Sequence, residues 1–303
     1  MKIVVVGAGA MGTLFGGRLA RACHQVVFVD TDPARVAAIA ADGVWENDTP
    51  ARCAAALPGV VQGEADLLIL FTKALHTAAA MAQNASALRP DGMVLTLQNG
   101  LGNDAAIAGV VGAHRVLVGI TNWPADLLGH GRIHVAGHGM VKLWSLTGAD
   151  TPAIREVAAA LAAADLGASA EPSVKVAIWE KVIFNAALNG ICALTRMTVG
   201  EVGDFAPARD LAMQVVAEGI TIALANDVPV DGERVRQAVA FAMANHRAHK
   251  PSMLQDVEAG RPTEVDAIQG GLLAAAQRHG VMTHALAHCT ALLRSIDHIV
   301  RSS

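Results

Sequence analysis

A chain of 303 residues is too long for one ordinary hydrophobic core and suits two domains. Hydrophobic residues make up 53% of it and charged residues only 17%, so much of the chain must be buried, within one subunit or against another. A formal net charge of -4 without any Lys/Arg run offers no field for a polyanion, which excludes nucleic acid as the expected partner.

The first third alternates short β-rich runs with helical stretches. Strands are expected at Lys2–Val6, Val26–Asp30, Leu67–Phe71, Met93–Leu97 and Val116–Ile120, with a helix over Met11–Arg21 between the first two. Such alternation implies a parallel sheet covered on both faces. Gly131–Leu143 alternates with glycines and predicts an antiparallel hairpin at the sheet's edge, and Ala-rich Ile154–Ala164 predicts one more helix. After Glu171-Pro172 the character changes. Ile178–Leu194, Ala206–Ala225, Gly232–Ala244, Glu264–His279 and His284–Ile299 all follow the helical period, with breaks at Gly200–Gly203, Asp227–Asp231, Lys250–Pro251 and Gly280. The expected fold is an α/β Rossmann-type N-terminal domain over 1–170 and an all-α C-terminal domain over 171–303.

Gly7-Ala8-Gly9-Ala10-Met11-Gly12 is G-x-G-x-x-G placed directly after an apolar strand and before a helix. The first glycine permits the tight turn, the second close approach of a pyrophosphate, and the third contact between helix and strand. The helix N-terminus then offers unpaired N–H groups to phosphate. Asp30 ends the second strand eighteen residues beyond Gly12, where it can accept from both adenosine ribose hydroxyls. A carboxylate there repels the 2′-phosphate of NADP, and no Arg or Lys follows until Arg35. The expected cofactor is therefore NAD, with NADP as second choice. Asp30 could equally cap the turn Thr31-Asp32-Pro33, and the two roles are compatible.

Lys181, Asn185 and Asn189 lie at i, i+4 and i+8 in a strongly apolar helix, within roughly 80° of one another around its axis. Such a stripe is costly to bury without partners, and a substrate carbonyl, carboxylate and hydroxyl would supply them. Desolvation would also make Lys181 a better proton donor near neutral pH. The competing reading is a helix edge where the lysine snorkels and the amides are solvated. Further on, Pro262 with Thr263 or Glu264 marks a helix start. Glu264 shares its stripe with Ile268 and Leu272 and so faces inward, where it could bond Lys181 or a substrate hydroxyl, or simply favour the helix dipole.

Taken together, Gly7–Gly12, Lys73, Leu97-Gln98-Asn99-Gly100, Trp179–Asn189, Ser252–Asp256 and Gly260–Asp266 make the chain resemble the ketopantoate reductase (2-dehydropantoate 2-reductase) family nearly end to end. The resemblance implies a Rossmann domain joined to a helical domain with the active site between them. It makes Lys181 the general acid and Glu264 the acidic active-site residue, also near the cofactor. It assigns Asn185, Asn189 and Ser252 to substrate carboxylate and hydroxyl groups, and Asn99 and Lys73 to the nicotinamide side of the cofactor and the substrate. Three departures stand out. Asp30-Thr31 replaces the basic residue of members that use NADPH. Thr121-Asn122-Trp123-Pro124 replaces a small, His-containing segment, so that Trp123 could re-shape the pocket. Gly190 stands where Pro is typical.

The implied activity is reduction of a 2-oxo acid. Its alternative is an NAD-linked D-2-hydroxyacid dehydrogenase of the same superfamily acting on a bulkier or aromatic substrate, and more remotely a non-catalytic dinucleotide sensor. The other features carry less. Cys23, Cys53, Cys192 and Cys289 are scattered, which fits a reducing cytoplasm, and no signal peptide or membrane span is expected. His134 and His138 lack a third ligand at metal spacing, so no metal is expected. His246–Lys250 reads as a solvated loop. Low charge with abundant Ala and Leu suits a homodimer.

Overall fold

The computed structural model describes residues 1–302 and divides into two compact units. The first comprises Met1–Gln98 and Asn103–Val174, and the second Asn99–Gly102 and the described residues from Lys175 onward. The cut expected near residue 170 therefore misses one feature. Asn99–Gly102, which include the last two residues of the Leu97–Gly100 motif, group with the helices rather than the sheet.

In chain order the first unit holds β1 (Lys2–Val6), α1 (Ala10–Arg21), β2 (Gln25–Val29), α2 (Pro33–Asp42), β3 (Val44–Glu46), β4 (Thr49–Ala51), β5 (Ala54–Ala56), β6 (Ala65–Leu70), α3 (Thr77–Asn84), β7 (Leu88–Thr96), α4 (Asn103–Val111), β8 (Val116–Thr121), β9 (Asp126–Gly129), β10 (Arg132–His134), β11 (Val141–Ser145), α5 (Pro152–Ala163) and β12 (Ala168–Ala170). Its main sheet runs β12-β11-β8-β7-β6-β1-β2-β5. All neighbours pair parallel except β11 with β8. Leu67–Leu70 of β6 are wholly buried, which a strand covered on both faces requires and which explains its unbroken apolar run. The strand order reverses between β1 and β6, so the turn after β1 opens at the crevice where doubly wound sheets bind ligands.

The edge hairpin differs from expectation. Arg132–His134 pairs antiparallel with β9 in a separate four-stranded sheet, β4-β3-β10-β9, whereas Val141–Ser145 joins the main sheet. The glycine-bearing stretch between them carries the chain from one sheet to the other instead of folding it back.

The second unit holds α6 (Val174–Thr195, counted from its first helical residue), α7 (Val199–Asp204), α8 (Ala206–Ala225), α9 (Gly232–Asn245), α10 (Ser252–Glu258), α11 (Val265–Arg278) and α12 (Ala285–Ser302). By length and composition α6 could cross a bilayer, but 67% of its most apolar window is buried inside the structure, as in a core helix. Ile183, Ala187 and Cys192 on it are fully buried among Val215, Val216 and Leu272. Two helices depart from the sequence reading. Gly200–Gly203 is not a break but part of α7, started by a capping box in which Thr198 and Glu201 satisfy each other's backbone N–H groups. Those glycines serve close packing: a Cβ would come 2.7 Å from Arg247 at Gly200 and 2.8 Å from Met243 at Gly203. Likewise Ser252–Glu258 is the short helix α10.

Candidate functional site

In the first unit the glycine turn fits a dinucleotide by observation of its space. Gly7 has φ +97° and a Cβ there would lie 2.9 Å from the backbone of Phe71 and Thr72, so only glycine makes this turn. A Cβ at Gly12 would lie 1.9 Å from the Gly7 carbonyl oxygen. At Gly9, by contrast, a Cβ would meet nothing within 4 Å. The space over Gly9 is thus open, as close approach of a pyrophosphate to the backbone would require. Gly9 caps α1 with no side-chain hydrogen bond, so the first N–H groups of the helix are not consumed by a cap. Ala8, Ala10 and Met11 complete this turn and the start of α1.

Beside it lies a cavity of about 300 Å³ lined by Gly7, Asp30, Thr31, Thr72 and His76, among others. Asp30 is thus at the mouth expected for an adenosine ribose. Its Oδ2 accepts from the Ala8 N–H at 2.8 Å and its Oδ1 from the Asp32 N–H at 3.0 Å. Arg35 Nη1 lies 3.2 and 3.1 Å from the two oxygens. The sequence reading passed over Arg35 as too far along the chain. The signal was nonetheless present: Asp32 and Pro33 start α2, and the first turn of that helix brings residue 35 back to residue 30.

Lys73 follows β6 and precedes a short 3₁₀ turn, Ala74–His76. Its loop is held by Gln98, whose Nε2 donates to the Thr72 carbonyl at 2.7 Å and to Thr77 Oγ1 at 3.0 Å. Gln98 belongs to the Leu97–Gly100 motif but carries no role in the sequence reading, because nothing local marks a glutamine that bridges two loops. Trp123 is spent on the first unit itself. It is buried, its indole N–H donates to the Leu166 carbonyl at 2.9 Å, and the Arg18 guanidinium stacks 4.2 Å above its ring. Those contacts fix the ring within the first unit.

In the second unit Lys181, Asn185 and Asn189 fall on one stripe of α6 as the spacing requires. Lys181 and Asn185 are partly buried and Asn189 is only 6% exposed. Burial pulls the Lys181 ammonium down to about 8, against the opposing pull of the Glu264 carboxylate. Among the described residues neither asparagine amide makes a hydrogen bond, so both present unused donors and acceptors. Snorkelling to solvent does not describe this arrangement.

Glu264 is the residue before α11, and its side chain makes no capping bond. It instead accepts from Asn99 Nδ2 at 3.3 Å. The segment that carries it is fixed from below: the buried Asp297 carboxylate accepts the Thr263 N–H at 3.0 Å, and Thr263 Oγ1 accepts the Val265 N–H at 3.2 Å. Asn99 is held by its neighbours, since the Leu101 N–H donates to the Ala267 carbonyl at 2.8 Å. The structure thus brings Lys181, Glu264 and Asn99 together. Ser252 begins α10 and is exposed. Gly190 makes room for a side chain, since a Cβ there would lie 2.7 Å from the amide nitrogen of buried Gln269. The His246–Lys250 loop is more than solvated: the carbonyls of Arg247 and His249 accept from Gly200 and Val199, and Arg247 pairs with Asp204.

Residues 3–148 match the family model "Ketopantoate reductase PanE/ApbA", and residues 173–297 match its C-terminal counterpart. A 2-dehydropantoate 2-reductase of Halobacterium salinarum is 34% identical, covering 93% of this chain and 94% of that protein. One of Streptococcus pyogenes is 30% identical over the same shares. Among solved structures, D-mandelate dehydrogenase with NADH and anilino(oxo)acetate aligns with a TM-score of 0.93 at 28% identity, over 99% of this chain and 100% of that one. A PanE/ApbA family ketopantoate reductase from Ralstonia eutropha aligns at 0.91 and 27%, over the same shares.

Proposed function

Because the chain belongs to the ketopantoate reductase family, we propose that it reduces a small 2-oxo acid to the 2-hydroxy acid, 2-dehydropantoate being the first substrate to try. The observation that carries the reading is the Lys181 ammonium, lowered toward neutrality by burial and set beside Glu264 on a stripe whose two amides make no hydrogen bond among the described residues. A bound reduced nicotinamide supplies the hydride. Lys181 holds the proton that the carbonyl oxygen needs as it takes up negative charge, and being largely desolvated it gives that proton up readily. Asn185, Asn189 and Ser252 anchor the carboxylate and the hydroxyl. Glu264 keeps Lys181 charged until the proton is needed, and Asn99 orients Glu264.

For the cofactor, Gly7–Gly12 hold the pyrophosphate, Lys73 lies toward the nicotinamide, and Asp30 favours NAD(H) over NADP(H). We place the enzyme in the cytoplasm as a homodimer. Four free cysteines fit a reducing compartment, and exposed Leu128 and Met282 offer apolar surface for a second copy. A second reading, a dehydrogenase acting on an aryl substrate, draws support from the likeness to D-mandelate dehydrogenase, whereas the curated relatives favour the first.

Steady-state rates with 2-dehydropantoate, an aryl 2-oxo acid and short aliphatic 2-oxo acids, each with NADH and NADPH, decide between them. We expect the highest kcat/KM with 2-dehydropantoate. A higher value for the aryl acid transfers the assignment to the second reading, and no turnover of any 2-oxo acid ends both.

A further inference from the structure

An aspartate at the end of the second strand is the usual ribose anchor of an NAD site, but it can serve only if its oxygens are available. A carboxylate has about four lone-pair positions. On Asp30 all four are filled: by the backbone N–H groups of Ala8 and Asp32, and by Arg35 Nη1 shared between both oxygens. The two backbone donors belong to the glycine turn and to the start of α2 and cannot leave without unfolding them. Arg35 reaches Asp30 through a flexible side chain that is 24% exposed, against 9% for Asp30. Nor is the guanidinium fully satisfied where it stands. Its Nε is buried without a partner, and Asp32 Oδ2 waits 3.8 Å from Nη2 as a second carboxylate.

We propose that Arg35 is the exchangeable ligand of Asp30 and sets the choice of dinucleotide. The ribose hydroxyls of NAD(H) take the positions on Asp30 that Arg35 vacates, while the displaced guanidinium stays at the ribose edge, close to Asp32. With NADP(H) the same guanidinium pairs with the 2′-phosphate and offsets the repulsion by Asp30. One side chain therefore competes with NAD(H) and assists NADP(H), which makes the preference for NAD(H) narrower than Asp30 alone would set. The inference rests on the dinucleotide reading of the glycine turn, and adds to it the residue that tunes it.

The test needs no substrate. Dissociation constants for NADH and NADPH are measured by calorimetry or nucleotide fluorescence on the wild type, Arg35→Met, Arg35→Gln, Asp30→Asn and the double variant Asp30→Asn/Arg35→Met, with thermal melts to confirm folding. Removing one charge-assisted partner from a partly exposed site is worth about three- to tenfold. Arg35→Met should therefore tighten NADH by about that factor and weaken NADPH by at least as much. Asp30→Asn should improve NADPH, and the double variant should lose that gain. Equal weakening of both dinucleotides by Arg35→Met, or no effect on either, overturns the proposal, since a packing role predicts the first and a spectator the second. If the wild type binds neither dinucleotide, the underlying cofactor reading has failed and takes the proposal with it.

Discussion

Changing Glu264 to Gln should move the alkaline limb of the kcat/KM profile for 2-oxo acid reduction to lower pH. The wild-type limb is expected near the Lys181 value of about 8 if, as proposed, reduction consumes the proton that this ammonium carries. At a value of about 8, roughly nine-tenths of Lys181 is charged at pH 7 and roughly one-tenth at pH 9. Burial lowers that value and the Glu264 carboxylate raises it, so a neutral glutamine leaves burial unopposed. Glutamine still accepts the Asn99 hydrogen bond, which confines the change to charge. A further fall of one unit corresponds to about 1.4 kcal/mol and would slow reduction at pH 8 about fivefold, while leaving the rate at pH 6 little changed. In the oxidative direction the neutral amine is the useful form, so activity should rise with pH through the same value. Stability follows the same linkage. The folded-state value lies below the ordinary 10.5, so between about pH 8 and 10.5 the unfolded chain binds the extra proton and folding strengthens as pH rises. Below pH 8 the buried ammonium costs on the order of 3 kcal/mol, and Lys181→Met should melt higher at pH 7 while losing reduction. Initial rates from pH 6 to 10 with saturating dinucleotide, paired with melts over the same range, make the measurement. Coincident limbs for wild type and Glu264→Gln, or a wild-type rate flat from pH 7 to 9.5, would refute the reasoning.

Two further expectations separate folding from binding. Gly9→Ala should leave the unfolding free energy within about 0.5 kcal/mol of wild type, since its Cβ meets nothing within 4 Å, yet weaken NADH binding at least about tenfold by filling the space over the turn. Gly12→Ala should cost about 1–3 kcal/mol or more, because its Cβ collides with the Gly7 carbonyl. Equal effects of the two on stability would show that the open space at Gly9 is not the pyrophosphate approach. Trp123→Phe should lower stability by about 1–3 kcal/mol through the orphaned Leu166 carbonyl and leave substrate KM unchanged. A shift in KM with little loss of stability in denaturant melts would return Trp123 to the substrate pocket.

Much of this molecule was readable wherever the chemistry is local. The strand, glycine turn and helix over residues 2–21 follow from an apolar run meeting three glycines, and the structure shows why Gly7 and Gly12 must be glycine and that the space at Gly9 is open. The stripe of Lys181, Asn185 and Asn189 followed from the helical period, and the inward face of Glu264 from its register with Ile268 and Leu272, both fully buried or nearly so. Other residues were misread because their purpose lies in a distant neighbour. Gly200 and Gly203 looked like a break, yet serve contacts with Arg247 and Met243 some forty positions away in the chain. The part of Trp123 that sequence could not show is its contact with Leu166 and Arg18.

Arg35 draws the line between the two kinds of information. Sequence alone determined the elements, the division into an α/β and a helical part, and the residue types available for hydride and proton chemistry, since those depend on period, capping and composition along the chain. Tertiary structure decided which of these groups are spent and which remain available: the Asp30 oxygens filled by Ala8, Asp32 and Arg35, the asparagine amides of α6 left without hydrogen bonds among the described residues, and the Glu264 carboxylate set near Lys181. The reason is that hydrogen bonding and desolvation act between atoms a few ångströms apart, and only folding brings residues such as Lys181 and Glu264 to that distance.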